Sequence, residues 1–127
     1  MSVRLDRDGA PVGPTITGFA GTGFRIGDTV HATGLKLTPD WARGWAAPAL
    51  ADLDEAALAD LLALEPLPEF LLLGTGPTMR RPPAAFTAAV EGRGIGIEAM
   101  DSRAAARAWG VLRAEDRWIV AALLPLG

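Results

Sequence analysis

The chain predicts an α/β domain, in which a β hairpin leads into alternating helices and strands on a mainly parallel sheet. Three observations carry this expectation. The segment "FRIGDTV", residues 24–30, alternates apolar and polar residues around a two-residue turn. The segment "EFLLLGTG", residues 69–76, is a short unbroken apolar run ended by glycine, the pattern of a strand buried on both faces. Three further segments repeat apolar residues at helical spacing, and short apolar runs separate them. A single domain is expected over residues 15–127, with residues 1–14 as an N-terminal extension.

The elements follow in order. Phe24 and Ile26 flank Arg25 in a half-buried strand, and Gly27-Asp28 suits a hairpin turn because glycine accepts the positive φ needed first. "TVHATGLKL" is expected to return as the partner strand, placing His31 across from Phe24 as a half-buried histidine. "TPDWARGWAAP" reads as a loop between Pro39 and Pro48. "ADLDEAALADLLALEP" is the first helix. Asp52 caps it with Glu55 reaching back, Leu53, Ala57, Leu61 and Leu64 form its apolar stripe, and Pro66 stops it.

After the buried strand, Pro83 suits the first position of a second helix, where its missing N–H costs nothing. Phe86 and Val90 share one face of that helix, and Gly92 and Gly94 end it. "IGIEAM" is the next strand. Asp101 or Ser102 caps a third helix with Ala105, Trp109 and Leu112 as its core stripe, and "WIVAALLPL" closes the chain as an inner strand.

Composition narrows the chemistry. Half of the 127 residues are hydrophobic, which excludes disorder. With no cysteine there is neither a disulfide framework nor thiolate chemistry. His31 is the only histidine, and Ser2 and Ser102 are the only serines, so a zinc centre or a serine–histidine triad has almost no material; no metal or cofactor is expected. A net charge of -3 argues against a nucleic-acid surface. No run reaches the ~20 apolar residues of a membrane-spanning helix, and the start has no secretory pattern. A cytoplasmic protein is expected. Abundant alanine, arginine, glycine and proline suggest a GC-rich, bacterial genome.

Gly74-Thr75-Gly76 follows a buried strand and precedes a helix, a place where exposed amides attract anions. It matches neither the dinucleotide nor the P-loop fingerprint: Met79 stands at the third glycine, and the glycine-lysine pair is missing. Pro77, Pro82 and Pro83 remove three more donors. Two readings stay open, a structural turn and a small-ligand pocket in which Arg80 or Arg81 clamps an anion. Glu115 and Arg117 would either line such a pocket or pair structurally. Trp41 and Trp45 would either anchor a protein interface or fold over the core edge.

"LEPLPEFLLLGTG", "GRGIGIEAMDSRAAARAW" and "LRAEDRWIVAALLP" together resemble the domain-of-unknown-function 498/598 family, the Mth938-like domains, from about Thr15 to the end of the chain. The family includes a mitochondrial complex I assembly factor and an adipogenesis-associated Mth-domain protein. The resemblance implies a three-layer α/β sandwich around a central mixed sheet whose last strand is antiparallel, and no established enzymatic activity. Its prominent positions fall on Gly74, Thr75, Gly76, Glu98, Asp101, Ser102, Glu115 and Arg117, with the loop tryptophan at Trp45 or Trp41. Gly110 departs from the pattern, since relatives often carry asparagine there.

The expected function is that of a non-enzymatic accessory or assembly factor acting through protein contacts. The alternative is a small-ligand or anion-binding domain, or an enzyme, with its pocket at Gly74–Gly76.

Overall fold

In the computed structural model, which describes residues 13–127, eight short strands form two sheets. Strands β1 (Gly18–Ala20), β2 (Gly23–Ile26) and β3 (Thr29–His31) make a small antiparallel sheet. Gly27 takes φ +58° in the predicted turn, and Phe24 pairs with His31 as expected.

"TVHATGLKL" is not one strand. β3 stops at His31, and Gly34 at φ +135° turns the chain into β4 (Leu35–Leu37) of the second sheet. The expected loop over 38–48 also contains a strand, β5 (Ala42–Gly44), which forms a hairpin with β4.

The second sheet adds β6 (Phe70–Gly74), β7 (Gly96–Met100) and β8 (Val120–Leu123), in the order β5-β4-β8-β6-β7. β6 is an inner strand, parallel to both β7 and β8, as its unbroken apolar run requires. β8 is antiparallel only to β4, which makes the sheet mixed. The implied antiparallel last strand is therefore corrected. A helical crossover returns β8 parallel to β6, and the one strand running against the others is β4.

Two helices match expectation closely. Ala84–Glu91 follows Pro83, which sits at the capping position rather than inside the helix, and buries Phe86 and Val90. Ser102–Ala114 is capped by Asp101, whose carboxylate accepts the Ala104 N–H at 2.9 Å.

The first expected helix is broken. Turns of 3-10 helix at Leu50–Asp52 and Glu55–Leu58 precede one α-helical turn, Ala59–Leu62. We label these three α-helices α1 (Ala59–Leu62), α2 (Ala84–Glu91) and α3 (Ser102–Ala114). The cap is Asp54 rather than Asp52. Its carboxylate takes the Ala57 N–H at 3.0 Å while Leu53 is extended, so the side chain starts a new turn instead of continuing an old one. The break lets Leu50, Leu53, Leu58, Leu61 and Leu62 all reach the core, five leucines where the expected stripe of Leu53, Ala57, Leu61 and Leu64 held three.

Alternation along the central strands separates two cores. Leu71, Leu73, Val120 and Ala122 face α1, α2 and the 3-10 turns. Leu72, Ala121, Leu123, Leu35 and Leu37 face α3 and the small sheet, where Trp109 is fully buried and donates to the Pro14 carbonyl at 3.0 Å. This is the three-layer sandwich. Among the described residues, no helix is long and apolar enough to cross a membrane.

Candidate functional site

Gly74-Thr75-Gly76 leaves the carboxyl end of β6, where parallel sheets commonly place ligands. Each residue type has a local reason. A Cβ on Gly74 would stand 2.7 Å from Ser102 Oγ and 2.8 Å from Leu123 Cδ2. Gly76 holds φ +107°, a region L side chains disfavour. The Thr75 hydroxyl donates to the Thr78 carbonyl at 2.7 Å and accepts the Arg80 N–H at 3.0 Å, pinning the following turn.

The amides of the loop are engaged within the protein. Thr75 N–H donates to the Met100 carbonyl at 2.8 Å, and Gly76 N–H donates to Ser102 Oγ at 2.9 Å. The Ser102 hydroxyl donates onward to the Leu124 carbonyl at 2.7 Å, and Leu124 N–H returns to the Gly74 carbonyl at 3.0 Å. Ser102 is fully buried. The first turn of α3, the loop and the chain beyond β8 are thus tied at one point. Asp101-Ser102 works in two parts: the aspartate caps α3, and the serine holds the loop.

Beside the loop lies an open hollow of about 320 Å³, bounded by Pro48, Leu50, Gly76, Pro77, Arg80 and Pro125. Arg80 reaches it; Arg81 is exposed outside it. Glu115 and Arg117 do not converge here. β6 and β8 are parallel, so Arg117, just before β8, meets Glu69, just before β6, at the opposite end of the sheet.

That second cluster is an ion pair with supports. Arg117 donates to Glu69 Oε1 through Nη2 at 2.8 Å and Nε at 3.1 Å, and Glu115 approaches Arg117 at 4.0 Å. Hydrogen bonding from Arg117 holds the Glu69 carboxyl below its ordinary range, and the same bond raises Arg117 further. Trp118 Nε1 donates to the Pro66 carbonyl at 2.7 Å, and Arg113 Nη1 to the Arg117 carbonyl at 2.7 Å. Both partners of the Arg117–Glu69 pair are solvent-exposed, which limits its energetic weight.

Trp41 and Trp45 bracket the edge strand β5, and both are half-buried against the core beneath α1 and α2. The Arg43 guanidinium lies 3.9 Å from the Trp41 ring centre, and Lys36 Nζ lies 4.8 Å from that of Trp45. Lys36 also donates to the Ala57 carbonyl at 2.8 Å and to Asp60 at 3.0 Å. Trp45 Nε1 is buried with no hydrogen-bond partner.

The profile described as "Protein of unknown function (DUF498/DUF598)" matches residues 16–124. The chain is 32% identical, over 98% of its length and 71% of the relative's, to "NADH dehydrogenase [ubiquinone] 1 alpha subcomplex assembly factor 3" of Danio rerio. A crystal structure of a Bordetella parapertussis protein superposes at TM-score 0.80 with 30% identity, covering 91% of this chain and 98% of that one. The solution structure of a Bordetella pertussis protein described as a Mth938-like domain gives TM-score 0.76 and 27% identity, covering 90% and 87%.

Proposed function

The chain belongs to the DUF498/DUF598 family, and from that premise we propose that it is a non-enzymatic accessory or assembly factor acting through protein–protein contacts, with a respiratory NADH dehydrogenase as its client. The observation that carries this reading is the similarity, along nearly the whole chain, to an NADH dehydrogenase assembly factor. The loop chemistry supports it: the Thr75 and Gly76 amides, which a phosphate would need, already serve Met100 and Ser102. The ligand alternative retains only an open hollow and Arg80. Trp41 and Trp45, at the edge strand β5, are the candidate protein contacts. We place the protein in the cytoplasm.

The test is affinity capture of the tagged full chain from its native cell, read by mass spectrometry, together with NADH oxidation in membranes from a deletion strain. Enrichment of NADH dehydrogenase subunits and reduced oxidation are expected. Unchanged oxidation with no such subunit captured would overturn the reading.

A further inference from the structure

β1 lies at the edge of the small sheet, and no strand covers its outer side among the described residues. Between β1 and α3 runs a shallow hollow of about 180 Å³, lined by Ile16, Thr17, Gly18, Phe19, Ala106 and Arg107. Its walls are largely apolar, and a Cβ added at Gly18 would meet nothing within 4 Å. Two exposed guanidinium groups rim it. Arg103 and Arg107 are four residues apart on α3 and so share one side of the helix. Arg103 rests 4.7 Å from the centre of the Phe19 ring, and neither arginine has a carboxylate partner among the described residues. Lys36, Arg93 and Arg117 are each matched by an acid, whereas Arg25, Arg43, Arg80 and Arg81 are not among the described residues; Arg103 and Arg107 are set apart by lying together beside the open edge and the hollow.

An open strand edge offers backbone hydrogen bonds to an extended chain, an apolar hollow accepts one of its side chains, and two unmatched arginines select for carboxylates. We propose that β1, the hollow and the Arg103–Arg107 pair form the docking site for an extended, acidic segment of a partner protein carrying an apolar side chain. The proposal rests on the reading of the protein as a factor that works through protein contacts, and it assigns the surface and the partner chemistry.

The experiment uses the full chain in its native cell with a photo-crosslinking residue, Gly18→p-benzoylphenylalanine, and a control at Leu67, which is 46% exposed on another part of the molecule. The expected adduct forms from position 18 and not from position 67, and the crosslinked partner peptide is rich in Asp and Glu. Adding Arg103→Glu and Arg107→Glu should cut adduct yield about tenfold or more while leaving Tm near the parent value. If that pair lowers Tm, Arg103→Gln with Arg107→Gln supplies the same reading with less perturbation. A neutral or basic partner peptide, an adduct insensitive to both pairs, or crosslinking to residues 1–12 of the same chain would overturn the proposal. Loss of the assembly role itself is read separately, by NADH oxidation in the deletion strain complemented with the unmodified protein.

Discussion

Ser102 and Gly76 hold each other through two hydrogen bonds: the Gly76 N–H donates to Ser102 Oγ at 2.9 Å, and the Ser102 N–H donates to the Gly76 carbonyl at 2.8 Å. The pair closes the loop from the inside, and Ser102 carries the link on to Leu124.

Ser102→Ala would leave a buried amide and a buried carbonyl without their partner. We expect a loss of about 2–3 kcal/mol in stability, because each unsatisfied buried group costs on the order of 1–3 kcal/mol. Urea unfolding of the purified variant measures it, and a midpoint equal to the parent's would show that the loop does not depend on this hydroxyl.

The two glycines should fail for different reasons. Gly74→Val introduces atoms where Ser102 and Leu123 already stand, so it should cost well over the ~1 kcal/mol of an ordinary glycine replacement. Gly76→Ala meets only Pro125, at 3.5 Å, and should cost about 1–3 kcal/mol from its positive φ alone. Thermal melts distinguish them, and equal small effects would contradict the packing account of Gly74.

Phosphate should not stabilise the fold. With the Thr75 and Gly76 amides committed internally, millimolar phosphate or nucleotide is expected to leave Tm unchanged, since only a ligand that binds the native state raises it. A rise that disappears in the Arg80→Ala, Arg81→Ala double variant would instead assign a ligand to the hollow.

Glu69 sets a pH dependence. Its folded pKa is depressed, chiefly by the hydrogen bond from Arg117, so its contribution is present above the unfolded glutamate pKa and is lost as pH falls through the folded value. The stability difference between the parent and Glu69→Gln should therefore be largest near neutrality and vanish in acid. Carbon-detected NMR titration should find the Glu69 midpoint below the normal glutamate range and restored in Arg117→Ala. An identical midpoint in the two proteins would contradict the pairing.

Trp45 combines a large half-buried ring with an orphan N–H. Trp45→Ala should cost about 2–4 kcal/mol, as large-to-small changes at packed sites do. Trp45→Phe should cost distinctly less, because it keeps much of the packing and removes the unpartnered donor. Equal losses for the two variants would contradict the packing account of Trp45, because Phe keeps a ring there and Ala does not.

Much of the fold was legible because local signals were strong. The run Leu71-Leu72-Leu73 could only be a strand covered on both sides, and Asp101 announced its helix. β5 was hidden because three residues among Trp41, Gly44 and Trp45 carry no alternation long enough to read. The broken first helix was hidden because Asp52 and Asp54 are equally good caps on paper, and only the placement of Leu53 chooses between them. At the loop, both glycines were recognisable, and Ser102 stood out only as a possible cap and a family position; its tie to the loop was hidden, since its partners lie 26 and 22 residues away in sequence. Whether Arg117 lined the pocket or paired structurally stayed open for a similar reason. Only the parallel pairing of β6 and β8 shows that it belongs at the far end of the sheet.

The strand order also governs how the chain is assembled during translation. β8 follows every other strand in sequence, yet it lies between β4 and β6. Until it leaves the ribosome, those two strands have no common neighbour, and each offers an unfilled edge inside what will become the buried interior. Sheet closure is thus a late, long-range event that the nascent protein cannot rehearse piecemeal, and the interval before it is when chaperones or foreign strands have access.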